Sequence, residues 1–496
     1  MIIRNTKKAL NKTKFSIPSI HNNFKHKIIQ DYDGGNLSFE GGILPLAKID
    51  EKYGITSRLA KCFTDFRRSN LTEFSVEELL KQIIYAISMG YEDHNDHDKL
   101  CKDPAIATAV GRKYPDGSDR KRKRDKGKAL AGKSTINRLI NTSPETDGKD
   151  RSKKIRAEFE HIAELFVEIF LDAMGDEPDE IILDFDNTDI PVYGNQENKF
   201  YHGYYDKDCF LPLYCFCNGF PLLAQLNEAS EDGAKRVTEF LEWVIPMIRE
   251  RWKDTKILFR GDSGFQRDNI MTWLENHKKM LYVIAIGKNP RLDKMVKPVL
   301  EEAKLIYKKK LEAGEIAYGD TITIYRDIYY QTKDTWSTER RVVVKCEYSE
   351  EKVVNEKNKK EKIESHQNIR HVATNLKEED VDAETIYKDI YCPRGEMENR
   401  IKEQQLCLFA DRTSSHKFYS NQMRVWMATY GYVLFHLLRI TCLRGTKLEK
   451  ARCDTIRLQL LKIGAQIKIT ARRIIFKLSS SFAEKELYLM VMNRLC

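Results

Sequence analysis

The chain has 496 residues, a formal net charge of +10, 32% charged and 41% hydrophobic residues. It is too long for one ordinary domain and long enough to bury a sizeable core, so two to four folding units are expected. The start Met-Ile-Ile-Arg-Asn-Thr-Lys-Lys leads into polar sequence, so no signal peptide is expected, and the most apolar long segment, 423–440, is interrupted by Arg424, His436 and Arg439 and reads as a core helix rather than a membrane span. Eleven cysteines without paired metal spacing suit a reducing cytoplasm; Cys215 and Cys217 alternate along an apparent strand as small buried hydrophobes.

Residues 1–40 are polar and expected to be poorly packed. Between Ser75 and Met89, Val76, Leu79, Leu80, Ile83, Ile84 and Ile87 recur at helical spacing. The Asp- and His-rich stretch 92–98 follows as a polar capping loop rather than a metal site. Residues 112–138 hold eleven Lys or Arg against three Asp, centred on Arg120, Lys121, Arg122, Lys123 and Arg124. Such a run supplies phosphate contacts without sequence information, and a nucleic-acid partner is expected. Gly127 to Ser134 fits G-x-x-x-x-G-K-[ST], but that loop needs a buried strand before it, and Asp119–Lys126 cannot be one. Ser134 or Thr135 is expected instead to cap a short helix over 136–140, in a loose helix-turn-helix pattern. A second amphipathic helix spans about 153–174 and ends at Gly175.

From 180 onward, Glu180–Asp186, Cys209–Cys217 and Pro221–Leu226 read as an antiparallel meander, with Asn218-Gly219 as a hairpin turn. Helix 234–252, strand 256–260, helix 266–277 and strand 281–286 follow, the order of a ribonuclease-H-like α/β core. In it the first and fourth strands are neighbours, which brings Asp186 and Asp262 to one end. Asp184 and Asp186 share a strand face, and Asp189 follows in a turn. Strands at 316–330, 340–348 and 369–375, joined by a Lys/Glu-rich connector at 349–365, read as a β-rich insertion. Beyond it Arg394, Glu398 and Lys402 fall on one helical face. Several carboxylates beside apolar strands are costly unless cations neutralise them, so Asp186, Asp262 and Glu398 are candidate ligands of two metals.

Three stretches carry a family resemblance: Leu183-Asp-Phe-Asp-Asn-Thr-Asp-Ile-Pro191 with Gly203-Tyr-Tyr, Arg260-Gly-Asp-Ser-Gly-Phe265, and Gly395-Glu-Met-Glu-Asn-Arg-Ile-Lys-Glu-Gln404 continuing to Thr413. With weaker similarity at Arg444-Gly-Thr and 455–464, the chain resembles, over roughly 180–465, the DDE transposases of bacterial insertion sequences, in the branch with a β insertion before the catalytic Glu. The wider group has a Tyr-x-x-Arg-x-x-x-Glu-x-x-x-x-x-x-Lys signature; Tyr391, Arg394 and Glu398 match, position 405 is Gln, and Lys402 lies one helical turn after Glu398. Glu396 is a competing acid, but it points about 160° away from Glu398 around the helix.

The resemblance implies a ribonuclease-H-like catalytic core in which Asp186, Asp262 and Glu398 bind two Mg2+ ions, with Mn2+ as a substitute, for DNA cleavage and strand transfer. Arg394 and Lys402 are expected on the scissile or adjacent phosphate. Trp336 is expected either to stack an unpaired base or to fold onto the insertion's own sheet. The expected division is a helical, basic DNA-binding region (1–150), the core's first part (151–290), the β-rich insertion (291–385), the core's second part (386–440) and a helical C-terminal region (441–496). Expected partners are transposon terminal inverted repeats and target DNA, with a homodimer in the synaptic complex, no membrane, and a cytoplasmic, nucleoid-associated location. A catalytically decayed DNA-binding protein and a structure-specific nuclease share these features.

Overall fold

A computed structural model of the chain describes residues 15–17, 28–150, 153–354 and 361–496. The chain forms two compact units, one from segments 1–52, 70–137 and 438–496, the other from 53–69 and 138–437. Residues 438–496 therefore fold with the N-terminal segments, where the sequence reading kept them apart. The cause is non-local pairing. Strand Ala465–Ile469 pairs with Leu37–Ser38 on one side and Ile474–Leu478 on the other, and Arg457 Nε donates to the Ser88 carbonyl at 2.6 Å. This hairpin also means that the C-terminal region is not wholly helical, as had been expected.

In the first unit, helix Val76–Ser88 opens on a capping box of Ser75 and Glu78 and buries its apolar stripe, as its spacing predicts. The stretch after it is a set of caps: Asp93 accepts from Asn95 N, and buried His97 meets Gln82 at 2.9 Å. The element directly before Gly127 is the 3-10 turn Lys123–Asp125, not a strand. Helix Lys133–Ile140 starts earlier than expected, so Ser134 and Thr135 lie inside it, and Asp98 Oδ1 accepts from Lys133 N at 3.0 Å instead. The helix before it ends at Val110. The connection is far longer than the three or four residues of a helix-turn-helix, and that expectation fails.

Besides the short pair Phe63–Asp65 and Ile155–Ala157, the described residues of the second unit form eleven strands: β1 (Glu180–Asn187), β2 (Ile190–Pro191), β3 (Phe200–His202), β4 (Lys207–Phe210), β5 (Leu213–Cys217), β6 (Phe220–Gln225), β7 (Lys256–Gly261), β8 (Met280–Ala285), β9 (Thr321–Tyr330), β10 (Arg340–Val354) and β11 (Glu361–Thr374). Eight form one mixed sheet in the order β6-β5-β1-β7-β8-β11-β10-β9. β7 runs parallel to both β1 and β8, and the other neighbours are antiparallel. The turn between β5 and β6 has Asn218 and Gly219 at φ 49° and 82°, the left-handed pair that an Asn-Gly hairpin supplies. A Cβ at Gly219 would also stand 2.5 Å from the His436 ring, so this glycine meets two demands.

Three expectations change here. The predicted strand 209–217 breaks at Leu211-Pro212, because Pro212 has no N–H to offer a ladder, and β4 joins β2 and β3 in a small separate sheet. The strands of the β-rich segment extend the main sheet, since β11 pairs with β8. The supposed connector is largely strand: Ser349–Val354 and Glu361–His366 pair residue for residue, with Lys352 reaching diagonally to Glu361 at 4.0 Å. Residues 355–360 lie outside the described residues.

Helices α1 (Phe159–Met174), α2 (Val237–Arg251), α3 (Asp268–Glu275), α4 (Gly395–Leu408) and α5 (Phe418–Leu438) accompany the sheet. α1 is shorter than predicted, because Ile155–Ala157 pairs as a strand with Phe63–Asp65. One face of β1 is fully buried through Leu183 and Phe185, with Phe185 stacked on Phe259 at 4.5 Å and edge-on to Phe240 of α2. Burial of each such ring contributes roughly 2–3 kcal/mol, which fixes the strand's orientation. The opposite face must then carry Asp184 and Asp186.

Candidate functional site

The parallel register of β1 and β7 sets Arg260 opposite Asp184 and Gly261 opposite Phe185. Asp186 and Asp262 therefore leave neighbouring strands at the same end. Asp186 is only 8% exposed. Asp262 begins a tight turn, its Oδ1 accepting from Gly264 N at 2.8 Å. The third acid arrives on a path that changes helical pitch: Ile386–Tyr391 is a π-helical turn, Cys392–Arg394 a 3-10 turn with Pro393, and α4 begins at Gly395. Irregular pitch of this kind frequently marks functional positions.

Arg394 is the hub. Its Nη2 donates to Glu398 Oε1 at 3.1 Å. Its Nη1 lies 3.4 Å from Asp186 Oδ2 yet is buried without a hydrogen bond. Asp186, Tyr391, Asp262 and Glu398 together hold the guanidinium's pKa above its ordinary value against the opposing effect of burial. Asp186 is pushed up to about 7, first by burial; Arg394 opposes the shift, while Asp262 and Glu398 add to it by like-charge repulsion. Asp186 is thus a strongly perturbed carboxyl in a group of three acids faced by one guanidinium.

The auxiliary acids have other partners. Arg260 grips Asp184 with Nε on Oδ1 and Nη2 on Oδ2 at 2.7 Å, and its Nη1 donates to the Ile390 carbonyl. This buried fork ties the π-helical turn to β1 and β7, a role the sequence reading did not assign. Its sequence signal was available: Asp184 and Arg260 each lie two residues before a strand-end acid, and parallel pairing aligns them. Asp189 pairs with Lys207 at 2.7 Å. Gln405, where the wider group has Lys, donates to the Asp189 carbonyl at 3.3 Å. Glu396 pairs with Arg400 at 3.4 Å, away from the cluster. Lys402 is exposed.

No group of three or more His, Cys, Asp or Glu stands at metal-holding spacing among the described residues. The donor chemistry nevertheless fits a hard divalent cation: Asp186 and Glu398 meet a guanidinium with an orphaned N–H, the charge of Asp262 is also felt there, and three carboxylates against one cation leave surplus negative charge and oxygen ligands only.

Arg120 is placed elsewhere than expected, and Trp336 takes the second of its two expected places. Arg120 is turned inward, its Nη2 on Glu73 at 2.9 Å and its guanidinium 4.7 Å from the Phe74 ring centroid, so it is a packing residue. Lys121, Arg122, Lys123 and Arg124 are exposed beside it. Trp336 is 5% exposed, edge-on to Tyr330 at 5.5 Å with the Arg340 guanidinium 5.4 Å from its ring centroid. Arg340 is itself held by Asp268 and Glu275 of α3. The ring thus packs on its own sheet and has no free face for a base.

A mixed sheet that delivers acids from two adjacent strand ends toward a helix-borne third defines a carboxylate-based site. The sequence pattern of the family Transposase DDE domain group 1 matches residues 20–496, and the chain belongs to that family. Membership makes it a transposase acting on DNA, in a family that works with divalent metals. No curated protein matches the chain. No helix of the described residues is long and apolar enough to cross a membrane.

Proposed function

We propose that this transposase cleaves DNA at transposon terminal inverted repeats and joins the freed 3′ end to target DNA. We read β6, β5, β1, β7 and β8 as a ribonuclease-H-like core and β9–β11 as its insertion. The observation that carries the reading is Arg394 in contact with Asp186 and Glu398 and under the charge of Asp262. In this reading the three carboxylates hold two Mg2+ ions, or Mn2+ in their place. When bound, such ions supply Lewis acidity for in-line displacement at phosphorus. Arg394 keeps the carboxylate cluster together and, with exposed Lys402 on the next turn of α4, orients the phosphate. Arg260 and Asp184 hold the turn that aims these groups. Two copies pair the two ends as a homodimer, at the nucleoid in the cytoplasm.

A labelled terminal-repeat duplex incubated with target DNA and Mg2+ tests the proposal. Joined product is expected; cleavage without joining makes the protein a structure-specific nuclease, and binding without either makes it a decayed site.

Non-specific affinity is assigned to the exposed run. Neutralising Lys121, Arg122, Lys123 and Arg124 together is expected to weaken binding to all duplexes and to lower the slope of log K against log salt by about 2–4, near 0.9 per lost phosphate contact. Arg120→Ala is expected instead to lower the melting temperature, because it strands Glu73. Unchanged salt slopes measured for the quadruple variant would reduce the run to a solvated loop.

A further inference from the structure

Strand β11 runs well past the strand that pairs with its outer side. β8 covers only Val372–Thr374, and just beyond them Ile286 N donates to the His371 carbonyl at 3.0 Å. From Glu361 to Arg370, β11 pairs with β10 alone, without a break in register, and no other described strand lies beside it. This stretch is largely exposed, Ile363 by 52%.

One bond fixes which backbone groups face outward. In an antiparallel ladder the N–H and C=O of a residue point to the same side, and successive residues alternate. The His371 carbonyl meets Ile286 N, so His371 turns its backbone away from β10. The same parity turns Glu361, Ile363, Ser365, Gln367 and Ile369 outward, each with an N–H and a C=O that β10 does not use. A row of this kind is a template for another strand. The ribbon also lacks a third strand. β9 reaches no farther along β10 than Ser349, so that beyond the contact of Gly319 N with the Glu350 carbonyl, Glu351–Val354 and Glu361–Glu364 stand as a pair. Two-stranded ribbons are marginal in water, and further strands stabilise them.

The occupant that fits this edge is the same edge of a second copy. Outward residues must meet outward residues, and the pairing must stop short of His371, where Ile286 and β8 take over. The longest two-fold antiparallel register that meets both conditions has its axis at Ser365. Ser365 then faces Ser365, Ile363 faces Gln367 and Glu361 faces Ile369, each pair exchanging both backbone bonds. Between them Lys362 faces Asn368, and Glu364 faces His366, an imidazole that can donate to the carboxylate. No like charges are opposed. Moving the axis to Glu364 shortens the pairing and sets that carboxylate against its own copy. Charged side chains on an edge commonly repel an approaching strand; here, at its longest register, the stretch is complementary to itself.

Resting on the two-copy assembly proposed above and naming its surface, we propose that two copies of the chain join through β11, with Glu361–Ile369 pairing antiparallel about a two-fold axis at Ser365, so that the two ribbons become one sheet in the order β10-β11-β11-β10. The test uses the full chain without DNA or divalent cation. Sedimentation of the wild type is expected to show a reversible dimer at about 10–50 μM, since an edge of this length buries less than a standard interface. Gln367→Pro removes an outward N–H and spares the bonds to β10, as proline on an edge does. It should weaken the dimer by about tenfold or more, one hydrogen bond's worth, with the melting temperature kept. Ser365→Cys reads the register directly. The two Cα atoms would stand about 5.5 Å apart, within disulfide range, so mild oxidation should give a covalent dimer whose 365–365 peptide is identified by mass spectrometry. Glu361→Cys puts its two thiols at opposite ends of the paired stretch, roughly 27 Å apart, and should not cross-link. The wild type, in which Cys392 and Cys496 are exposed, is oxidised in parallel as the background.

A wild type that stays monomeric throughout that range overturns the proposal. So does a wild-type dimer that persists in Gln367→Pro and whose Ser365→Cys variant gives no 365–365 bond, a result that moves the assembly to another surface. If Gln367→Pro lowers the melting temperature, the 365–365 bond alone decides: its presence supports the edge, and its absence removes it. Sedimentation with an end duplex added reads the two-copy assembly separately. Loss of the cleavage reading is recognised as a wild type that neither cuts nor joins with Mg2+ present.

Discussion

Asp186→Ala, Asp262→Ala and Glu398→Ala are each expected to lower Mg2+-dependent nicking of an end duplex by about a thousandfold or more, since several kcal/mol of transition-state stabilisation depend on the ligands. End binding should change little, because affinity resides in basic contacts elsewhere. Single-turnover nicking and gel-shift titration on the same preparations read the two quantities. Near wild-type nicking in any one variant removes that residue from the site. Asp186→Asn adds an independent readout. The side chain's pKa of about 7 lies above the ordinary 3.8, so the folded protein holds the proton more tightly than the unfolded chain. The resulting stability is complete below about pH 4 and is lost as pH rises through about 7. Asp186→Asn should therefore melt higher than wild type at pH 8, by roughly 2–4 kcal/mol at most, and show a flatter pH profile. An inactive variant whose pH profile matches wild type would mean that Asp186 is not strained by its neighbours.

The second large effect concerns the buried fork. Arg260→Ala is expected to cost about 3–5 kcal/mol, because it leaves Asp184 charged and unpaired inside the protein and frees the Ile390 carbonyl. Burial already raises the Asp184 pKa against the pull of Arg260. Without Arg260 it rises further, so the loss should be largest at high pH and shrink as pH falls. Adding Asp184→Asn should recover part of the stability, and the coupling measured by the double-mutant cycle separates the pair from general packing. An additive cycle would show that the fork is incidental.

The strands that end beside Asp186 and Asp262 were legible from sequence because the signal is local. An apolar run that ends on Asp can only be a buried strand with a charged exit, and i, i+4 spacing puts Arg394 and Glu398 together whatever surrounds them. The Asn-Gly turn was legible for the same reason, since only a left-handed pair closes so tight a hairpin. What failed depends on partners remote in the chain. Arg120 sits in a run of identical charges, and nothing in the run reveals that Glu73 and Phe74 draw this one inward. Trp336 stands in polar sequence, yet Tyr330 and Arg340 close over it from flanking strands. The Lys/Glu-rich stretch lacked an apolar pattern because Glu351–Val353 and Glu361–Ile363 are exposed, held by backbone pairing rather than by burial.

The interleaved first unit also has a biosynthetic cost. Its N-terminal segments emerge from the ribosome long before residues 438–496, which supply the strand that pairs with Leu37–Ser38 and the arginine that meets Ser88. Translation proceeds at roughly 5–20 residues per second, so those early segments wait on the order of tens of seconds for their partners. A ribosome that stalls within 138–437 leaves that unit without its closing segment, its basic run attached to an unfinished framework. That unit therefore cannot close until residues 438–496 have been made.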